Sequence, residues 1–97
     1  MTTRRHYLVC YDISDDSCRD KVFHHLEGCG DHAQFSVFFC QLNPRELAEL
    51  QSTLSHIINH QTDQVLLIDL GPAYHPLNGG IESLGKPLQP RALAVVI

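Results

Sequence analysis

The sequence predicts an α+β domain of the ferredoxin-like β-α-β-β-α-β pattern, with an extra C-terminal strand and a homodimeric assembly. Three observations carry this. Short runs dense in apolar and β-branched residues recur along the chain, among them YLVCYDI, VLLIDL and ALAVVI. Two segments with apolar residues at helical spacing lie between such runs. The chain has 97 residues, 43% of them hydrophobic, which suits one compact domain over 1–97 and leaves no room for two.

The elements follow in order. His6 to Ile13 is apolar at consecutive positions, the pattern of a strand covered on both faces and therefore central in its sheet. Cys18, Val22, Phe23, Leu26 and Cys29 then fall on one side of a helix, with Arg19, Asp20, Lys21, His24, His25 and Glu27 on the other; Gly28 and Gly30 end it. Ala33 to Val37 alternates, with Ala33, Phe35 and Val37 on one face and Gln34 and Ser36 on the other. The phase breaks at Phe38-Phe39-Cys40, which indicates either a bulged, bent strand or two short strands tightly joined.

The second helix has a start signal of its own. Asn43 is suited to cap free N–H groups, Pro44 fits the first helical position, and Glu46 stands three residues after the cap. Leu47, Leu50, Leu54, Ile57 and Ile58 form its apolar stripe. Gln64 to Leu70 is a further strand, apolar on both sides until Asp69. Gly71 to Gly80 reads as a loop, Ile81 to Leu84 as a short segment, Gly85 to Pro90 as a connector, and Ala92 to Ile97 as a terminal strand. ALAVVI has no polar face, so exposing it would leave an aggregation-prone edge. Burial against a second copy removes that edge, and residues 81–97 are expected to pair across a homodimer.

Composition narrows the function classes. The formal charge of -4 argues against a strongly basic nucleic-acid binder, so any phosphate binding is local. Four cysteines, Cys10, Cys18, Cys29 and Cys40, stand singly with no C-x-x-C pair and read as reduced thiols of a cytoplasmic protein. The apolar run after Arg4 and Arg5 is cut short by Asp12, Asp15 and Asp16, which is unlike a signal peptide. No run approaches the roughly 18 apolar residues of a membrane span.

The stretch YDISDD, residues 11–16, raises the chemical question. Asp15 and Asp16 precede a helix, where acidic residues cap and complement its positive end. Asp12 belongs to the strand instead. A carboxylate bordering a buried run costs desolvation free energy unless a cation pairs with it. Arg19, Lys21 or a divalent metal are the candidates, and oxygen-only ligation suits Mg2+, which takes one or two carboxylates and keeps several waters. With Asp12 near a two-fold axis, a dimer supplies two such carboxylates, and a metal between them could activate water against a phosphodiester.

Tyr7 to Asp16 (YLVCYDISDD), then Arg19 and Lys21, Leu26-Glu27-Gly28, Gln34-Phe35-Ser36-Val37-Phe38 and Leu84-Gly85 together resemble the CRISPR-associated protein two family. YDISDD and QFSVF at their mutual spacing are the most specific pieces. The resemblance implies a ferredoxin-like homodimer with strand exchange near the C-terminus, and a metal-dependent endonuclease acting on RNA or DNA. It further implies that Asp12 is the catalytic and metal-binding residue, holding Mg2+ with its symmetry mate. A role in acquiring new spacers follows, as the central dimer that bridges CRISPR integrase dimers and helps hold incoming double-stranded DNA; single-stranded RNA is the second nucleic-acid partner. His32 stands where the family commonly carries an arginine, and Phe39 where a glutamate is frequent.

Arg4, Arg5, Arg19 and Lys21 cluster in sequence around the first strand and helix and, with His32, are the candidate phosphate contacts. Tyr11, Ser36 and Phe38 lie in the two motifs as supporting residues: Ser36 as a polar, outward-facing strand residue, and Phe38 as a core or interface residue rather than a base-stacking platform. His56 and His60 share a helix face at a zinc-ligand spacing but lack a third ligand, and read as solvated. Two other classes stay open from the residues alone. One is a toxin-like metal-dependent ribonuclease of similar fold; the other is a non-enzymatic ferredoxin-like regulatory or oligomerisation module.

Overall fold

A computed structural model of the chain describes residues 3–34, 36–76 and 81–85. Six elements follow one another: β1 (Arg5–Asp12), α1 (Asp16–Glu27), β2 (Gly30–Gln34), β3 (Val37–Leu42), α2 (Pro44–Ile57) and β4 (Gln64–Pro72). The strands form one sheet in the order β2-β3-β1-β4, and each neighbouring pair is antiparallel. This is the ferredoxin-like arrangement, and β1 is central, as its apolar run predicts.

The helices begin where their local chemistry dictates. The Asp15 carboxylate accepts from the Cys18 N–H at 2.9 Å and caps α1, with Asp16 in its first turn. In α2 the capping box is complete: Asn43 Oδ1 accepts from the Glu46 N–H at 2.8 Å, and Glu46 Oε1 accepts from the Asn43 N–H at 3.0 Å. Both helices bury one stripe against the same sheet face. Val22 and Leu26 of α1 and Leu50 and Leu54 of α2 pack with Tyr7, Val9 and Tyr11 of β1 and with Phe38, Cys40 and Leu42 of β3. Val9, Val22, Leu26 and Phe38 are fully buried, each stabilising the fold by roughly 1.5–3 kcal/mol.

Four expectations are corrected. Among the described residues the central strand is fully covered on one face only: Tyr7, Val9 and Tyr11 are buried, whereas on the other face His6 is buried but Leu8 and Cys10 are half-buried. The same alternation runs through β4: Val65 and Leu67 pack on the core, whereas Leu66 and Ile68 are 47% and 42% exposed. A continuous apolar run therefore does not require two covers when one face remains open. Gly30 opens β2 instead of ending α1. A Cβ there would stand 2.1 Å from the Phe39 carbonyl oxygen, so β2 approaches β3 only at a residue without a side chain.

The third and fourth corrections concern the turns. Ala33 to Val37 is not a strand: β2 ends at Gln34 and β3 starts at Val37, so the two-strand reading of the QFSVF region holds and the bulged-strand reading does not. Ser36 is consequently a turn residue, with a left-handed φ of 69°, and not an outward-facing strand residue. Gly71 and Pro72 extend β4 instead of starting a loop; a register shift opposite His6 and Tyr7 is absorbed beside Gly71, whose φ is 104°. Residues 81–85 adopt neither helix nor strand. The remainder of the expected 81–97 extension, with its terminal strand, lies outside the described residues, as does Phe35. Among the described residues no helix is long and apolar enough to cross a membrane.

Candidate metal and nucleic-acid site

β1 positions the site by ending at Asp12. Its last ladder partner is Gln64 of β4, and on its other side the Tyr11 N–H donates to the Ser36 carbonyl at 3.1 Å. Ile13 is buried at 4% exposure and anchors the exit from the strand. A clasp then fixes the following turn: Asp63 Oδ1 accepts from both the Ser14 N–H and the Ser14 hydroxyl at 3.2 Å, while Oδ2 accepts from the Asn59 N–H at 2.9 Å. The Asn59 N–H, ahead of the Ser14 and Thr62 bonds, holds the Asp63 carboxyl below its ordinary pKa. Asp15 is likewise held down, chiefly by the Cys18 N–H.

Asp12 stands apart from these bonded aspartates. It is exposed, and its carboxylate makes no hydrogen bond or ion pair with any described residue. The desolvation argument for a cationic partner therefore fails: water reaches this group. Arg19 is engaged elsewhere, donating to the Ile13 carbonyl at 3.1 Å and pairing with Asp16. Lys21 is exposed on α1.

The five candidate phosphate contacts do not form one patch. β1 has eight residues at about 3.3 Å rise each, so its ends are roughly 23 Å apart. Arg4 and Arg5 are at the end away from Asp12, and both are paired. Arg4 bonds the Gln41 carbonyl at 2.9 Å and Glu46 at 2.8 Å; Arg5 grips Asp69 at 2.9 and 3.1 Å. The Asp69 hydrogen bond raises the Arg5 pKa. Only Arg19, Lys21 and His32 lie on elements near the Asp12 end.

Tyr11, Arg19, Asp20, Phe23, His32 and Ser36 line a cavity of about 260 Å³ there. His32 is exposed, with its ring tilted over Phe38 at 4.9 Å and edge-on to Phe23 at 5.2 Å. Phe38 itself is fully buried and stacks with Tyr11 at 6.4 Å, so it supports these rings from the core. Burial raises the Tyr11 pKa, with Arg19 opposing. Asp20, Phe23 and Asp63 are the members that sequence reasoning did not select. Asp63 carries no local signal for its Ser14 contact, and Asp20 and Phe23 read as two faces of an ordinary amphipathic helix.

The donor chemistry at Asp12 fits magnesium, which favours hard carboxylate oxygens and retains waters. Among the described residues no group of three or more His, Cys, Asp or Glu is gathered. His56 and His60 therefore gain no third ligand among these residues, and their ring N–H groups donate to the Ser52 and Ser55 carbonyls at 2.7 Å. By face parity Asp12 lies on the same side of the sheet as Leu8 and Cys10, whose cross-strand partners are Ile68 and Leu66.

The family model described as CRISPR associated protein Cas2 matches residues 5–75 of this chain. Among similar proteins, a CRISPR-associated endoribonuclease Cas2 of Rhodospirillum rubrum is 40% identical over 83 residues, covering 86% of this chain and 80% of that protein. One from Geobacter sulfurreducens is 34% identical over 91 residues, covering 94% and 95%. Among solved structures, a hypothetical protein from Thermus thermophilus superposes with a TM-score of 0.74 at 28% identity, covering 89% of this chain and 99% of that one. Streptococcus pyogenes Cas2 gives 0.67 at 28% identity, covering 82% and 99%.

Proposed function

Because this chain belongs to the CRISPR associated protein Cas2 family, we propose that it is a homodimeric, Mg2+-dependent endoribonuclease of a CRISPR system, with one Asp12 from each copy at the metal. The observation that carries the reading is the place of Asp12: an unbonded carboxylate at the rim of an uncovered apolar sheet face. Covering Leu66 and Ile68 with the same face of a second copy removes apolar surface from water, and brings two Asp12 carboxylates to one interface. The names of the relatives, CRISPR-associated endoribonucleases, support RNA as substrate.

In this mechanism the Asp12 carboxylates of the two copies would hold the ion. Magnesium bound there would supply activation of water for attack and stabilisation of charge on the phosphodiester. The Arg19 guanidinium, fixed by Ile13 and Asp16, presents its remaining N–H groups to the nucleic-acid backbone. Lys21 adds charge on the same helix, and His32 donates from the neighbouring strand. The test is cleavage of single-stranded RNA by wild type and Asp12→Ala in magnesium and in chelator, with the oligomeric state measured by sedimentation. Loss of cleavage in both the variant and the chelator is the expected result. Equal cleavage under all conditions, or a monomer that cuts as well as the dimer, overturns the proposal.

The scarcity of metal ligands favours a second role beside it. With no group of three or more metal-ligating residues among the described residues, the dimer also suits architectural work, holding integrase subunits and a DNA duplex at fixed separation during spacer acquisition, with the duplex contacts local because the net charge is -4. Unimpaired acquisition by Asp12→Ala, together with lost cleavage, would assign the two roles to different surfaces.

A further inference from the structure

We propose that the cavity of about 260 Å³ between α1, the end of β1 and the β2–β3 turn receives a single unpaired nucleobase of a single-stranded nucleic acid. The inference rests on the phosphodiesterase reading for the course of the strand past Asp12, and goes beyond it in naming what this chain holds.

The walls are flat. Tyr11, Phe23 and His32 contribute rings, and the exposed His32 imidazole is locked against Phe38 at 4.9 Å and Phe23 at 5.2 Å. A ring held in this way is prepared to stack on another planar ring without first being ordered. The rest of the lining is mainly apolar, and Arg19, Asp20 and Ser36 are its polar residues. A phosphate would meet apolar wall and the charge of Asp20. A planar heterocycle offers an apolar face to the rings and donors and acceptors on its edge to the polar residues.

Size and place agree with that occupant. Pockets for drug-sized ligands usually run from about 300 Å³ upward, so this one suits a single base and not a dinucleotide. Tyr11 lines the cavity and Asp12 follows it at the end of β1, so their side chains leave opposite faces of the sheet. A strand with one base seated here has to round the end of β1 to bring a phosphodiester to the Asp12 face. Bases of a duplex are held in the stack and do not reach the pocket unless extruded.

The test measures binding in chelator, so that cleavage plays no part. A fluorescently labelled single-stranded oligonucleotide is compared with the same backbone built from abasic units, by anisotropy. Wild type is expected to bind the intact strand about fivefold or more tightly. His32→Ala should abolish that preference, His32→Phe should keep it, and His32→Lys, which supplies a charge without a ring, should not. Equal affinity for the two strands, no binding of the intact strand, or a preference that survives in His32→Ala overturns the proposal. The two readings fail separately. Base preference with cleavage indifferent to Asp12 sinks the active-site assignment alone, whereas Asp12-dependent cleavage without base preference sinks the pocket alone.

Discussion

At the Arg5 end of β1, Arg4 is bound to Glu46 and the Gln41 carbonyl, Arg5 to Asp69, and His6 to the His75 carbonyl at 2.7 Å. At the other end Asp12 carries a carboxylate with no described partner. One strand thus ends twice, once with its charges committed to the fold and once with a charge left to water. Committed charges cannot serve a ligand without first breaking a bond, and an uncommitted one has no evident part in stability. The difference separates charge committed to the fold from charge free to meet a ligand more sharply than charge counts along the sequence do.

The largest effect that sharpens this contrast should come from beneath the functional end. Phe38→Ala removes the ring that supports Tyr11, Phe23 and His32, and is expected to destabilise by about 3–5 kcal/mol in denaturant unfolding. Asp12→Ala should do the opposite: on the proposed reading RNA cleavage falls about 100-fold or more, since a metal held there would supply several kcal/mol of transition-state stabilisation, while the unfolding free energy changes by no more than about 0.5 kcal/mol. A destabilised Asp12→Ala would break the comparison. Asn43→Ala, which deletes half of the α2 capping box next to Arg4, should cost about 1 kcal/mol with cleavage unchanged.

The smallest effects belong to the exposed pairs. A double-mutant cycle on Arg5 and Asp69 should give a coupling of about 0.2–1 kcal/mol that fades with added salt. The sign of the pH dependence follows from the same groups. Asp69 is held below its ordinary pKa first by the Gly71 N–H and then by Arg5, and Glu46 first by the Asn43 N–H and then by Arg4. A carboxyl whose folded pKa is depressed stabilises fully above the unfolded value and loses that contribution as pH falls through the folded one. The melting temperature should therefore be level from neutral pH to about 5 and drop below about 4. Asp69→Asn should shrink that acid-side drop.

Much of this fold is legible in the sequence because its signals are local. The Asn43-Pro44-x-Glu46 cap, the spacing of Val22, Phe23 and Leu26, and the runs of β1 and β4 depend on neighbours within a turn or a strand. What was misread depends on distant partners. Gly30 resembles a helix terminator until Phe39 is set against it, and Ser36 resembles a strand residue until β2 and β3 are seen to turn at that point. The candidate site divides in the same way. Asp12 could be singled out from its strand, but its exposure follows from the open face of the sheet. The pairing of Arg4 with Glu46 and of Arg5 with Asp69 spans 42 and 64 residues, and no pattern within a segment records it.

The strand order has a consequence for how the chain is made. β1 leaves the ribosome before the other described strands, yet its neighbours in the sheet are β3 and β4, so Val9 waits for Phe38 and then for Leu67 before both its flanks are paired. Closing such long loops precedes the contacts that reward it, which slows folding and leaves an apolar segment uncovered during synthesis. The interval before Gln64 emerges is when the nascent chain is most vulnerable to wrong pairing, and a chaperone would do most for it then.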